Sequence, residues 1–290
     1  MVILLGLAAA VLYGTGDFLG GLATRRVQVL AVLLLAQTAG VIVALPAAAM
    51  WPGPASLAGL AWGISAGLVG GAGLIIFYLG LAAGPMSVVA PVSGLVSTIL
   101  PVAVALAGGE RPGAGVYAGA LLCLAAIVLA SSAGDAKPAR GARAAQRSRL
   151  PGAGRALRYG IASGASFGLF FLLIRNAGQS GELWPVAAAR IGELAVVLVA
   201  AAVLRRGLLP RGAGAGPLLA AASAGVIDVV ANICYVAATR TGAFGLAVVL
   251  ASLYPGVTVL LARVVLGERL RWVQRTGLAL AAIGILLVAV

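Results

Sequence analysis

The chain carries one pattern twice. Gly109-Glu110-Arg111 recurs as Gly267-Glu268-Arg269, 158 residues later. Closer to the start of each copy the offset shrinks, to 157 between Tyr78 and Tyr235 and to 154 between Tyr13-Gly14 and Phe167-Gly168. Each copy holds five apolar segments, and an odd number makes the two copies cross a membrane in opposite directions. Inverted repeats of this kind are typical of secondary transporters.

Composition decides what the segments become. Hydrophobic residues make up 62% of the 290 residues and charged residues only 9%, a proportion typical of chains solvated by lipid. Lipid permits helices or closed barrels, and apolar runs of about 20 residues without alternation favour helices. We therefore predict an all-α integral membrane protein with ten transmembrane helices as two inverted five-helix repeats. The predicted segments are 2–24, 28–50, 56–82, 85–107, 112–133, 156–177, 182–204, 215–240, 243–265 and 270–290.

The charges divide the chain and orient it. Residues 134–155, rich in Ala, Gly, Arg and Ser, read as a flexible basic linker between a first repeat at 1–133 and a second at 156–290. Fifteen Lys and Arg residues fall in the linker and the connections on its side, against three on the other side, Arg111, Arg175 and Arg240. This bias predicts that the basic loops are cytoplasmic and that both termini are outside. The net charge of +13 thus reflects topology and is not a nucleic-acid footprint.

Several chemistries have little support in the sequence. There is no histidine, which removes the commonest metal ligand and general base. The two cysteines, Cys123 and Cys234, lie in the middle of predicted helices, so we expect neither a disulfide framework nor a metal cluster. We find no Walker-type loop. We predict no cofactor, no metal and no enzymatic activity.

Charged side chains inside the predicted helices are few. Each costs at least a few kcal/mol at bilayer depth, so each is a candidate site residue. Five stand out: Asp17, Arg190, Glu193, Asp228 and Arg263. Arg263 lies one turn from its helix end, and we expect it to snorkel to the interface.

One helical face in segment 8 is polar. Asp228, Asn232 and Tyr235 are four and three residues apart, and Asp228 is near the bilayer midplane, where transporters bind substrate. We predict that Asp228 couples transport to protons and that Asn232 and Tyr235 contact substrate; the structural alternative is an interhelical hydrogen bond. We match Gly71, Ile75 and Tyr78 of the first half to these three residues. Tyr78 is a further candidate for substrate contact.

A second pair lies on helix 7. Arg190 and Glu193 are three residues apart and can pair. Either Arg190 binds a substrate carboxylate and Glu193 neutralises Arg190 in the empty state, or the pair only fixes helix 7 against its neighbours. Gln37 and Gly40 hold the matching places in the first half, so the fold does not require the pair. Gln37 is therefore a candidate for substrate contact as well.

Prolines and glycines punctuate the helices. Pro91 and Pro101 lie in segment 4 and Pro255 in its counterpart, and interrupted helices at matching places often line transporter sites. We predict these three prolines to be hinges, with a packing kink as the alternative. Small-residue stripes at Gly63/Gly67 and Gly160/Gly164/Gly168 predict close helix approach.

Taken together these features resemble the drug/metabolite transporter superfamily, in its ten-helix type with two EamA-like repeats. The resemblance rests on the aromatic-Gly pair in the first helix of each half, the stretch Ala189–Glu193, the small-residue break before the fourth helix and the closing Gly-Glu-Arg. It implies export or exchange of small metabolites, often amino acids, through a cavity surrounded by helices 1–4 and 6–9. It also implies cytoplasmic termini, whereas the charges favour termini outside, and we follow the charges.

Asp17 is open to two interpretations. An acidic residue in a first helix resembles the coupling carboxylate of small multidrug exporters of the same superfamily, and Phe171 replaces it in the second half. It is either a proton or cation site or a packing residue near the membrane edge.

We predict a secondary transporter of small metabolites such as amino acids, an exporter or exchanger that works by alternating access in the cell membrane. Asp17, Glu193 and Asp228 would couple it to protons. The alternative is a multidrug exporter whose carboxylates attract a cation while Tyr13, Tyr78 and Tyr235 stack on it. A remote alternative is an intramembrane aspartyl protease, because Gly14–Asp17 fits G-x-G-D, although that chemistry needs a second aspartate close by. The partners are a small molecule and the bilayer; a monomer is sufficient and a dimer is compatible.

Overall fold

Every regular element that the structure describes is a helix. The structure is a computed structural model, and it describes residues 1–51, 53–83, 86–109, 113–131, 153–177, 183–204, 214–241, 244–266 and 272–289. The helices are α1 (Val2–Thr24), α2 (Val29–Met50), α3 (Leu57–Ala83), α4 (Met86–Ala107), α5 (Ala114–Ser131), α6 (Ala153–Ala177), α7 (Trp184–Val203), α8 (Ala215–Arg240), α9 (Phe244–Ala251), α10 (Tyr254–Leu266) and α11 (Trp272–Ala289).

The all-helical membrane class predicted from the sequence is confirmed, but the count of ten spans is not. Within the described residues, seven helical stretches are long and apolar enough to cross a membrane, and Val92–Ala107 is a shorter apolar stretch. Most of the predicted linker 134–155, the repeated Glu110-Arg111 and the triplet 267–269 lie outside the described residues.

The ninth predicted segment is two helices. α9 ends at Ala251 and α10 begins at Tyr254, with a tight turn in which Leu253 N donates to the oxygen of Leu250 at 3.2 Å. Pro255 explains the break, because it lacks the N–H that would bond the carbonyl of Ala251 and its ring collides with that carbonyl. Helix α4 continues through both Pro91 and Pro101. The fourth helix is thus continuous where its counterpart is broken, and the hinge role of the three prolines stays a prediction.

The principal contacts of the inner helices join the two halves of the chain. α1 packs mainly on α8, α9 and α10, and α6, its counterpart in the second half, packs on α3 and α4. Likewise α3 packs on α7, and α8 packs on α2. Each of these contacts therefore recurs between the equivalent helices when the two halves are exchanged, as expected for an isologous two-fold arrangement. α5 and α11 pack chiefly against each other.

Glycines make the closest of these contacts. A Cβ added at Gly160 would lie 2.7 Å from Val92 Cβ, and one at Gly6 would lie 2.8 Å from Leu250 Cβ. Gly164 lies against Ser93 and Gly168 against Ser97. In the same way Gly63 lies against Pro185 and Gly67 against Ala189. The predicted small-residue stripes are confirmed as places of close helix approach.

These contacts correct the register of the repeat. Gly67 lies against Ala189, and Gly225 lies against Ala36. Ala36 and Ala189 are equivalent positions of the two halves, 153 residues apart. Gly67 and Gly225 make the same contact with them, so these glycines are equivalent too, at an offset of 158 residues and not 157. The pairing of Tyr78 with Tyr235 is therefore one residue out of register. In the corrected register the counterparts of Asp228, Asn232 and Tyr235 are Gly70, Leu74 and Phe77.

Candidate functional site

A buried polar cluster lies where α2, α7 and α8 meet. Arg190 Nη1 lies 2.8 Å from Glu193 Oε2, forms an ion pair with Asp228 Oδ2, and donates to Gln37 Oε1 at 3.4 Å. Arg190, Glu193 and Gln37 are 1%, 2% and 3% exposed. The sequence predicted the local pair with Glu193; the structure adds Asp228 from another helix. One guanidinium therefore faces the buried carboxylate of Glu193 and the partly exposed carboxylate of Asp228, whose side chain is 27% exposed.

The cluster continues from α8 to α1. Asn232 Nδ2 donates to the backbone oxygen of Asp228 at 2.8 Å and to its Oδ2 at 3.3 Å. Tyr13 donates its hydroxyl hydrogen to Asn232 Oδ1 at 2.9 Å. Tyr13 and Gln37 belong to the first half of the chain, and Asn232, Asp228 and Arg190 belong to the second. A single polar chain thus links the halves at the centre of the molecule, because α1 packs on α8 and α2 on both α7 and α8.

This polar chain borders a central cavity of about 50 Å³. The charged or amide groups on its wall are Asp17, Arg190, Glu193, Asp228 and Asn232. The rings of Tyr13, Phe167, Phe170, Phe171 and Tyr254 also line it, with Gly70 and Leu74 completing the lining. The wall therefore combines polar and aromatic groups, which suits a small amphipathic molecule.

A second, smaller cavity of about 20 Å³ adjoins the first. Both are lined by Asp17, Leu74 and Asp228, and the second adds Gln37 and Tyr78. The two cavities therefore meet at the two aspartates. The structure shows no hydrogen bond or ion pair between Asp17 and any described residue, whereas Asp228 is held by Arg190 and Asn232.

Tyr235 departs from its predicted place. It is fully buried and lines neither cavity. Its hydroxyl donates to the backbone oxygen of Phe171 at 3.3 Å, and the two ring centroids are 4.8 Å apart. Phe171 lines the cavity and packs on Tyr235, so Tyr235 stands behind the lining in this conformation and its substrate contact stays a prediction. Arg263 also differs from expectation, since it is 7% exposed and does not snorkel.

Of the aromatic residues that line the cavity, the sequence predicted Tyr13 but not Phe167, Phe170, Phe171 and Tyr254. Phe167, Phe170 and Phe171 recur at three- and four-residue spacing on α6, a pattern that ordinary core packing also produces. Their rings form edge contacts with neighbours, at 5.7 Å between Phe170 and Phe171 and 6.0 Å between Tyr13 and Phe171. Tyr254, whose ring is 6.3 Å from that of Tyr13, stands just after the helix break, which the sequence signalled only through Pro255.

The described residues contain no group of three or more metal-ligating side chains of the His, Cys, Asp and Glu types. The charged groups of the cavity are instead arranged around a guanidinium. Among the described residues, three carboxylates and one guanidinium line the cavity.

Comparisons with known proteins agree with this architecture. Residues 155–290 match the model of the EamA-like transporter family. No curated protein sequence gives a match. One solved crystal structure superposes with a TM-score of 0.70 over 100% of this chain and 98% of the other, at 20% sequence identity. At that identity the likeness shows the fold alone.

Proposed function

Because the chain carries an EamA-like transporter domain of the drug/metabolite transporter superfamily at residues 155–290, we propose that it is a secondary transporter of small metabolites such as amino acids. It works as an exporter or exchanger by alternating access. The observation that carries the proposal is the central cavity, which a buried guanidinium, three carboxylates and aromatic rings line together. A site of this kind near the midplane, between two halves of a chain, is what secondary transporters use.

Alternating access requires two units that rock against each other. We propose the repeat division 1–133, 134–155 and 156–290, which the exchange symmetry of the helix contacts supports. Because α1 packs mainly on α8, α9 and α10, and α6 packs on α3 and α4, the units that rock are two bundles that each take helices from both repeats. The polar chain from Tyr13 to Gln37 crosses between these units. Occupancy of the cavity therefore acts on groups from both units at once, as a moving interface needs.

Proton coupling follows from the charge count. Asp17, Glu193 and Asp228 line one cavity with a single guanidinium, so the cavity has two more carboxylates than cations. Excess buried negative charge is costly, and protons relieve it. We propose that one or more of these carboxylates exchanges a proton during each cycle. The basic loops would lie in the cytoplasm of a cell whose plasma membrane holds the protein, with the monomer as the working unit.

A second candidate is the export of cationic aromatic compounds. It is supported by Asp17, which has no partner among the described residues and shares the cavity with five aromatic rings. Arg190 opposes it, because a bound cation would lie close to the guanidinium. Proteolysis is disfavoured on geometry, since Asp228 is paired with Arg190 and Asn232 and so is not disposed to share a proton with Asp17.

The test is counterflow in proteoliposomes. Purified protein is reconstituted, and labelled amino acids and cationic dyes are screened with and without a pH gradient. Saturable exchange of anionic or zwitterionic metabolites that responds to the gradient supports the proposal. Exchange of cationic dyes alone supports the second candidate. If no compound exchanges while the protein remains folded, the carrier proposal fails.

A further inference from the structure

The guanidinium of Arg190 is held by only one of its three nitrogens. The contacts with Gln37, Glu193 and Asp228 all involve Nη1. Nε makes no hydrogen bond to a described residue although it is buried, and Nη2 takes part in none of these contacts. Buried donors are normally satisfied. Here the described residues supply no acceptor to the side of the guanidinium formed by Nε and Nη2.

That side has the geometry of a carboxylate receptor. Two N–H groups in a rigid planar fork match the two oxygens of a carboxylate, which then accepts two parallel hydrogen bonds. Arg190 lines the central cavity, so a molecule there is next to the guanidinium. Glu193 and Asp228 keep the guanidinium in place through Nη1 without using the fork.

The rest of the cavity selects the body of such a molecule. Phe167, Phe170, Phe171, Tyr13 and Tyr254 line it, and aromatic walls favour flat apolar groups through burial and ring contacts. The cavity measures about 50 Å³ in this conformation, so the lining rings have to move apart to admit such a body.

We propose that the cavity binds a small organic acid whose carboxylate lies on the Nε–Nη2 side of Arg190 and whose flat apolar body lies against the rings. The proposal rests on the proposed transport function and narrows its substrate class. An added carboxylate increases the negative charge of the cavity, so it enters together with a proton. The ionisable and polar groups that face this site are Tyr13 and Asp17 of α1, Gln37 of α2, Glu193 of α7, Asp228 and Asn232 of α8, and Tyr254 of α10.

Binding of three matched probes to the full chain in detergent tests the proposal. Phenylacetate, phenylacetamide and phenethylamine share a phenyl ring and differ in the charge of the head group. Ligand-induced thermal shift, titrated to saturation, should show that phenylacetate binds at least about tenfold more tightly than the amide and the amine. Equal binding of the three, or no binding of phenylacetate, overturns the proposal.

A conservative variant sharpens the result. Arg190→Lys keeps the positive charge beside Glu193 and Asp228 but removes the fork, and it should weaken phenylacetate binding about tenfold. Arg158→Lys makes the same change at an exposed position on α6 and should bind like the parent. Unchanged binding in Arg190→Lys contradicts the inference, and should that variant fail to fold, the probe series on the parent chain still decides.

Different outcomes contradict the transport proposal and the organic-acid site. If counterflow succeeds only with amines or neutral compounds and phenylacetate does not bind, the carrier stands and the organic-acid site falls. If phenylacetate binds through Arg190 but nothing exchanges across the membrane, the site stands and the transport proposal falls.

Discussion

The two halves of the chain use the same packing and different chemistry. Gly67 meets the backbone of Ala189, and its counterpart Gly225 meets the backbone of Ala36. At the cavity, by contrast, Asp228 of the second half stands where the first half has Gly70. Asn232 likewise matches Leu74, Arg190 matches Gln37 and Glu193 matches Gly40, while Asp17 of the first half matches Phe171.

The difference separates what builds the fold from what acts in it. Small residues at the helix crossings occur in both halves, so the packing needs them twice. The charged cluster occurs once, and the matching positions of the first half hold Gln37, Gly40 and Gly70. Charged groups inside a membrane protein that the scaffold does not require are best explained by a ligand or a proton.

The variant with the largest expected effect is Arg190→Gln, which gives position 190 the glutamine that the first half has at its counterpart, Gln37. Arg190→Gln leaves the buried carboxylate of Glu193 and the partly exposed one of Asp228 without a cation. We expect the free energy of unfolding to fall by about 3–5 kcal/mol and counterflow to fall about 100-fold or more. Unfolding is measured in mixed micelles and counterflow in proteoliposomes.

A neutral triple variant is the matched control. Arg190→Gln combined with Glu193→Gln and Asp228→Asn removes the buried charge altogether. Replacing a buried ion cluster by neutral groups is often nearly neutral for stability, so the triple variant should recover most of the lost stability but none of the counterflow. A triple variant that transports like the parent would show that the cluster serves only the fold.

Equivalent glycines should respond equally. Gly67→Val and Gly225→Val each force a side chain into the backbone of the neighbouring helix, and we expect each to lower the free energy of unfolding by about 2–3 kcal/mol. Gly216→Val is the control, because nothing lies within 4 Å of the new Cβ. Tolerance at one of the two crossings would break the claim that the halves share their packing.

The helices and their close contacts were predictable because lipid and sterics act locally. An apolar run of about 20 residues has to form a helix in a bilayer, and a four-residue glycine spacing places small residues on one face. The break before Pro255 was less predictable, because Pro91 and Pro101 interrupt nothing. Local sequence does not indicate whether packing against neighbouring helices keeps a helix continuous through a proline.

The partner of Asp228 was beyond sequence reasoning for a different reason. Arg190 and Glu193 are on one helix, so their spacing alone brings them together. Asp228 reaches Arg190 only because α7 and α8 both pack on α2, which no spacing encodes. The matching tyrosines likewise suggested a register that the backbone contacts of Gly225 correct by one residue. The function predicted from the charged residues still awaits the transport assay.

Asp17 is the one charge that the first half contributes to the cavity. We expect Asp17→Asn to reduce flux driven by a pH gradient about tenfold, a common size for the coupling between two ligands. Exchange without a gradient should change little, since asparagine resembles the protonated acid. Glu193→Gln is the comparison: if it abolishes the response to pH and Asp17→Asn does not, the coupling proton belongs to the second half alone.

The smallest expected effects compare two hydroxyl groups. Tyr235→Phe removes the hydrogen bond to Phe171 behind the cavity, and Tyr13→Phe removes the one to Asn232 on the cavity wall. Each should cost about 1 kcal/mol of unfolding free energy. Only Tyr13→Phe should also lower counterflow, by about fivefold, the change that a lost hydrogen bond of that strength produces, because its bond is part of the polar chain that joins the halves. Equal counterflow in the two variants would mean that the link between Tyr13 and Asn232 holds helices together and has no part in transport.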